Sequence, residues 1–155
     1  MIDEVLKKRI TLTPGGRKLV QTMRAHGAYT CLVSGGFTQF TRAIAEQLGF
    51  EENRANELGV ENGKLTGTVE EPILGRDAKL AALLELRESF DLDGIDTLAI
   101  GDGANDLGMI QAAGLGIAYQ ANPAVAAAAH ARIDHGDLTA LLYAQGYKRS
   151  EFVTE

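Results

Sequence analysis

The sequence predicts an α/β fold: a Rossmann-like, mainly parallel sheet with helices on both faces and a small β-hairpin excursion. Three observations carry that prediction. Short apolar runs of strand character at residues 29–33, 97–100 and 115–119 alternate with segments of helical periodicity. Glycine-rich turns, "SGG" at 34–36 and "GDGAND" at 101–106, follow the first two runs and lead into helical pattern. No internal repeat or low-complexity tract competes with this alternation, apart from four alanines at 126–129. At 155 residues the chain is about one domain long, so residues 1–155 are expected to form a single core domain.

Each element has its own local reason. Thr13 offers an N-cap with Pro14 at the first helical position, and Leu19, Val20 and Met23 share a face before Gly27 closes the helix. Residues 29–33 (YTCLV) read as a buried strand. The chain's one cysteine, Cys31, lies inside it and is expected to be a buried thiol. That strand is expected to end at Ser34-Gly35-Gly36, after which Phe37, Phe40, Ile44 and Leu48 recur at helical spacing until Gly49.

In residues 57–69, Leu58 and Val60 alternate ahead of Asn62-Gly63, and Leu65 and Val69 share a parity after it. This is the pattern of a hairpin with a type I′ turn, expected as a side element. Asp77 is placed to cap a helix whose stripe is Ala78, Ala81 and Leu84, flanked by Leu80 and Leu83. A short strand at 97–100 precedes a helix from Leu107, and 115–119 (LGIAY) is the next strand. Asn122-Pro123 opens an alanine-rich helix, "ARIDH" at 131–135 supplies a last strand, and Asp137 caps a final helix through Ala144.

Composition excludes several classes. With 45% hydrophobic and 23% charged residues the chain suits a globular protein and not a largely disordered one. A net charge of −6 argues against nucleic acid as a partner, and any bound anion needs a local device. No stretch approaches the roughly 18 apolar residues of a membrane span, and the N-terminus lacks the apolar core of a signal peptide. The expectation is no membrane partner and a cytoplasmic location. His26, His130 and His135 are scattered without metal-ligand spacing and are expected to be surface or structural. Neither a Gly-x-Ser-x-Gly elbow nor a Gly-x-x-x-x-Gly-Lys-Ser/Thr loop occurs.

In an open α/β sheet ligands bind at the carboxyl ends of the strands, and Ser34 and Asp102 both come directly after apolar strands. Asp102 and Asp106 make an oxygen-rich site suited to Mg²⁺, a hard cation that takes one or two carboxylates and keeps several waters. Gly101 and Gly103 let the backbone approach closely. The plainer alternative is that Asp106 caps the helix from Leu107 and Asp102 sits in a turn. At a helix N-terminus, Ser34-Gly35-Gly36 offers a hydroxyl and backbone N–H groups to phosphate oxygens, or is only a turn and cap. Lys79 falls in the first turn of its helix, where the macrodipole disfavours a cation unless an anion is near. It either neutralises a transferring phosphoryl group or stands solvated.

Together "LTPGG", "VSGGFTQF", "ANELGVENGKLTG", "AIGDGANDLGMIQAAGLGIAYQANP" and "LLYAQG" resemble, in order and over nearly the whole chain, the haloacid dehalogenase (HAD) superfamily. Within it the resemblance is to the phosphoserine phosphatase family. It implies a HAD-like core, Mg²⁺ as cofactor, and hydrolysis of a phosphomonoester, L-phosphoserine, to L-serine and phosphate, the last step of serine biosynthesis. Ser34 and Gly35 would hold the substrate phosphate, and Lys79 would stabilise an aspartyl-phosphate. Asp102 would bind Mg²⁺ directly, Asn105 would contact the phosphate side, and Asp106 would support the metal shell.

The resemblance also implies a departure. The family opens with a strand ending in Asp-x-Asp-x-(Thr or Val), whose first aspartate is the nucleophile and whose second is the general acid and base. Residues 1–12 instead resemble a remnant of the last cap helix, so the chain resembles the C-terminal portion of such an enzyme, with the first core strand and most of the cap missing. The one Asp-x-Asp present, Asp91 and Asp93 in "DLDGIDTLAI", follows a helix and not an apolar strand, so it reads as a solvated loop. Little phosphatase activity is expected of these residues alone. The neighbours of the missing strand should have open edges, which self-association or a complementing segment would fill.

Two rival functions differ in class. One is a non-catalytic HAD-like protein that binds phosphate or a partner. The other is a Rossmann-type nucleotide-binding module, for which Gly101-x-Gly103-x-x should end in Gly or Ala, whereas position 106 is Asp and would repel a pyrophosphate.

Overall fold

The computed structural model describes residues 2–154 and is α/β, with mostly parallel strand pairing. The chain divides into two compact units: residues up to Ile73 together with those from Gly136 on, and Leu74–His135.

The first unit runs through α1 (Ile2–Lys8), α2 (Gly16–Ala25), β1 (Cys31–Phe37), α3 (Thr38–Leu48), β2 (Glu52–Glu61) and β3 (Lys64–Glu70). Its sheet has the order β1-β2-β3, with β1 parallel and β3 antiparallel to β2. Asn62 (φ 50°) and Gly63 (φ 76°) both take positive φ, as the expected type I′ turn requires. The hairpin occupies the expected residues, beyond the part of β2 (Glu52–Glu61) that pairs with β1. Its first strand starts at Glu52 and pairs with β1 before it turns, so the hairpin grows out of the sheet.

Within the hairpin the register shifts between Leu58 and Val60, so that Gly59 faces the whole of Thr66-Gly67-Thr68. A Cβ on Gly59 would lie 2.4 and 2.5 Å from the two threonine hydroxyls, and Gly67 takes φ +82°. The outer strand is therefore bulged at its middle.

Three local expectations fail in this unit. Helix α2 starts at Gly16, two residues after Pro14: Gly15 (φ 82°) is its N-cap, and Thr13 forms a turn by accepting the Gly16 N–H at 3.1 Å. Strand β1 does not stop before Ser34 but continues through the glycines to Phe37, which pairs with Asn56 after an irregular step. Cys31 is half-buried, with Glu52 as its strand partner. By contrast Gly49 ends α3 in the left-handed conformation and donates its N–H to the Ala45 carbonyl at 2.8 Å, as expected.

The second unit holds α4 (Ala78–Ser89), β4 (Leu98–Gly101), α5 (Leu107–Ala112), β5 (Leu115–Tyr119), α6 (Pro123–Ala128) and β6 (Ala131–Ile133). Its sheet is wholly parallel, in the order β4-β5-β6. Ile110, Ala118, Val125 and Ala126 form its core, and Ile117 on β5 is fully buried. A Cβ on Gly116 would stand 1.8 Å from the Ile110 carbonyl oxygen, so only glycine lets α5 and β5 come this close. Asn122 caps α6 through its side chain, accepting the Val125 N–H at 3.1 Å.

On α4 the buried residue is Ala82, while Ala81 and Leu84 are exposed, so the stripe expected on Ala78, Ala81 and Leu84 is rotated. Nor does Asp77 cap α4 with its side chain.

The chain then returns to the first unit for α7 (Ala140–Ala144), where Leu141 and Leu142 are fully buried. Thr139, not Asp137, is its N-cap. Asp137 acts one step earlier, accepting the Thr139 N–H at 2.8 Å and the Thr139 hydroxyl. Among the described residues no helix is long and apolar enough to cross a membrane.

Candidate active site

The carboxyl end of β4 turns at Asp102-Gly103 into a short 3₁₀ turn, Ala104–Asp106, which leads into α5. Asp106 organises this corner. It is 2% exposed, and both of its carboxylate oxygens accept hydrogen bonds. One oxygen receives the Lys79 ammonium at 2.5 Å, and the other accepts the backbone N–H groups of Asp102 at 2.9 Å and Gly103 at 3.1 Å. Asp106 is the N-cap residue of α5 by position, but its side chain makes no cap bond there and reaches back across the turn instead. The capping alternative thus gives way to a bridge between α4 and the β4 loop.

Two glycines make this corner possible. A Cβ on Gly101 would lie 2.4 Å from the Asp106 side chain, so a glycine at the last position of β4 is what admits the carboxylate. The next glycine, Gly103, lends its N–H.

Burial alone would push the Asp106 carboxyl up. The hydrogen bond from Lys79, those from Gly103 and Asp102, and the nearby Lys79 charge outweigh burial and hold it below the usual carboxylate range.

Lys79 stands in the first turn of α4, as expected, with its side chain largely buried. An ammonium has three donors, and Asp106 takes one of them. Asp102 and Asn105 are exposed, and neither side chain has a hydrogen-bond partner among the described residues. The corner therefore joins a fixed cation, an open carboxylate and an open amide. The Lys79–Asp106 contact spans 27 positions and was not legible in the sequence; its one signal was a cation in a helix first turn that contains no acid.

Among the described residues no three His, Cys, Asp or Glu side chains gather as a metal-binding group. Mg²⁺ does not require one, since it is held by one or two carboxylates with several waters. Asp102, open to solvent, fits as such a ligand. Asp106 has both oxygens engaged by protein donors and fits a supporting position.

Ser34 and Gly35 lie in the other unit, inside β1 and not at a helix N-terminus: α3 begins only at Thr38, capped by Phe37 without a side-chain bond. The Ser34 hydroxyl oxygen accepts the Gly36 N–H at 3.0 Å, and the Gly35 carbonyl accepts the Asn56 amide at 3.0 Å. The proton of Ser34 has no acceptor among the described residues. Asp91 and Asp93 lie before β4, at the end of the strand opposite to Asp102. Asp91 takes φ 51°, and the Asp93 N–H is bound by the Asp96 carboxylate at 3.1 Å. The four residues of β4 put about 13 Å between them and the Asp106 corner.

A glycine-flanked aspartate at the end of a parallel strand, tied by a second aspartate to a lysine from the preceding helix, defines a class. A family model for haloacid dehalogenase-like hydrolases matches residues 1–111, and the chain belongs to that family. Within it the chain is similar to phosphoserine phosphatases. It is 42% identical to that of Streptomyces coelicolor over 97% of this chain and 37% of the relative. It is 38% identical to phosphoserine phosphatase SerB2 of Mycobacterium tuberculosis over the same shares. The chain thus spans little more than a third of the length of these relatives.

Among solved structures, a probable phosphoserine phosphatase from Vibrio cholerae superposes with a TM-score of 0.85 at 37% identity, covering 93% of this chain and 46% of that one. A phospho-aspartyl intermediate analogue of phosphoserine phosphatase gives 0.81 at 39% identity, covering 92% and 69%.

Proposed function

We propose that this chain carries the phosphate- and Mg²⁺-handling residues of a phosphomonoester hydrolase whose substrate is L-phosphoserine. The observation that carries the reading is the buried Asp106 carboxylate, which fixes Lys79 and the Asp102 loop in one corner at the carboxyl end of a parallel strand. Preorganised donors of this kind lower the cost of charge that develops on a transferring phosphoryl group.

In this reading Lys79 keeps one N–H on Asp106 and turns its others to phosphoryl oxygens. Asn105 offers its amide to the same group, and the Ser34 hydroxyl and Gly35 N–H act as further phosphate donors, a role that rests on the resemblance of their segment. Asp102 holds Mg²⁺ and Asp106 keeps the Asp102 loop in place. The metal supplies Lewis-acid neutralisation of phosphate charge.

Nucleophilic attack is assigned to neither Asp91 nor Asp93, because both lie at the wrong end of β4. These 155 residues by themselves should therefore release little phosphate. β1 and β4 are each the edge strand of their own sheet, which leaves backbone donors and acceptors for a complementing strand, from a further segment or a second copy.

The test is phosphate release from L-phosphoserine with Mg²⁺, by the chain alone and by the chain coexpressed with the N-terminal part of the Streptomyces coelicolor relative. Activity only in the coexpressed form, lost in Asp102→Asn, supports the reading. Turnover by the chain alone would move the nucleophile back to Asp91 or Asp93. Saturable phosphate binding with no turnover in either form would favour a non-catalytic binding protein.

A further inference from the structure

We propose that His130 is an acid-released latch: its unprotonated Nδ1 holds the Gly116 N–H at the entry of β5, and a proton taken up there frees the joint between α6 and β6 from the sheet. The Gly116 N–H donates to His130 Nδ1 at 2.8 Å, and the His130 N–H donates to the Gly116 carbonyl at 2.9 Å. The strand ladder takes over one step later, with Ile117 opposite Ala131.

The ring stands in for a backbone acceptor. In a parallel ladder whose His130 N–H binds the Gly116 carbonyl, the Gly116 N–H would go to the carbonyl two residues before His130, and there the chain is still helix α6. Gly116 is buried, with the Ile110 carbonyl of α5 so close that no side chain fits, and a buried N–H stripped of its acceptor is costly. His130 itself is exposed, so solvent protons reach the ring.

Proton and bond exclude one another. An imidazole that accepts at Nδ1 carries its hydrogen on Nε2, whereas an imidazolium donates from both nitrogens and would set N–H against N–H. Among the described residues His130 forms no ion pair that would hold its charge in place. Of the elements packed on β5, α5, α6 and β4 have no titratable side chain, and β5 itself has only Tyr119. Arg132 on β6 is paired with Asp134, His135 beyond it is exposed, and Asp96, in the turn before β4, accepts the Asp93 N–H. The opened joint therefore binds a proton that the closed joint does not. By linkage the closed form loses ground as pH falls from about 8 to about 5, where imidazoles change charge. The proposal does not rest on the phosphatase reading, since neither residue belongs to the Asp106 corner.

Amide hydrogen exchange of the whole chain tests it, read residue by residue by NMR from about pH 8 to about pH 5 and divided by the intrinsic rate at each pH. The protection of Gly116 is expected to fall about tenfold across that range, while that of Gly103, whose N–H rests on the Asp106 carboxylate, stays level. His130→Asn puts an acceptor oxygen as many bonds from Cα as Nδ1 and has no titrating ring, so its Gly116 should stay protected throughout. His130→Ala should leave Gly116 weakly protected at every pH. Level protection of Gly116 in the parent, a fall that persists in His130→Asn, full protection in His130→Ala, or a hydrogen found on Nδ1 of the parent at about pH 8 from its ring nitrogen shifts would each overturn the proposal. None of these results would bear on phosphate release by the coexpressed form.

Discussion

Two carboxylates of this molecule are each paired with a cation and further hydrogen-bond donors, and they have different fates. Asp106 is bridged by a lysine and two backbone N–H groups, with its side chain 3% exposed. Glu52, at the start of β2, accepts Arg54 Nε at 2.6 Å and the Tyr29 hydroxyl at 2.8 Å, with its side chain 27% exposed. Both are held below the usual carboxylate range against the opposing push of burial. What differs is placement. Asp106 closes the carboxyl end of a parallel strand, where its partners can act on a ligand. Glu52 ties down the opposite end of its own strand, where there is only a surface to hold. The same charge chemistry becomes a site or a staple according to burial and strand polarity.

Removing Lys79 should break the buried pair and leave Asp106 charged without its cation, so Lys79→Met is expected to destabilise by roughly 3–5 kcal/mol in urea unfolding. Arg54→Met, the matching change at the half-buried pair, leaves Glu52 its Tyr29 partner and should cost less, about 1 kcal/mol. Equal losses would erase the contrast. Gly101→Ala tests the close approach on which Asp106 depends: its Cβ would sit 2.4 Å from that side chain, and a loss of about 1–3 kcal/mol is expected.

Acid titration sharpens the comparison. Because the folded Asp106 carboxyl sits below its unfolded value, its contribution is fully present above about pH 4 and is lost as pH falls through the folded value. Lys79→Met should flatten that acid limb more than Arg54→Met does, as read from unfolding midpoints across pH.

The smallest effect lies at the alkaline end. The hydrogen bond to Glu52, then burial and the nearby carboxylate charge, push the Tyr29 phenol up to about 12. A raised phenol stabilises the fold below its unfolded value near pH 10, and that contribution fades as pH rises through about 12. Tyr29→Phe should delete the component near pH 12 from the phenolate absorbance titration and hardly alter stability at neutral pH. An unchanged titration would detach Tyr29 from Glu52.

Local chemistry made much of this legible. The Asn62-Gly63 turn, the Asn122 cap and strand β5 were readable because their determinants lie within a few residues of each other. Apart from the caps expected of Asp77 and Asp137, which fail locally, the misses depend on distant partners. Strand β1 passes through two glycines because β2 is there to pair with Phe37, which overrides the local turn preference. The buried face of α4 is set by what it packs on, α5 among others, so a run with leucines or alanines at most positions could not reveal it. At the site, the residue types were visible one by one, but the join between Lys79 and Asp106 is a tertiary contact without a local trace.

The bulge in β3 has a consequence for how this protein behaves in company. A flat outer strand invites the strand of a neighbouring molecule to dock on it, and stacking of that kind seeds aggregates. Here the ladder is broken at Thr66-Gly67-Thr68, and Lys64 and Glu70 end the strand with charge. An incoming strand would find no more than two or three residues in register on either side of the kink. The outermost strand of this sheet is thus shaped as a terminus, which keeps a partly apolar hairpin with exposed Val60 and Leu65 from becoming a template for its own copies.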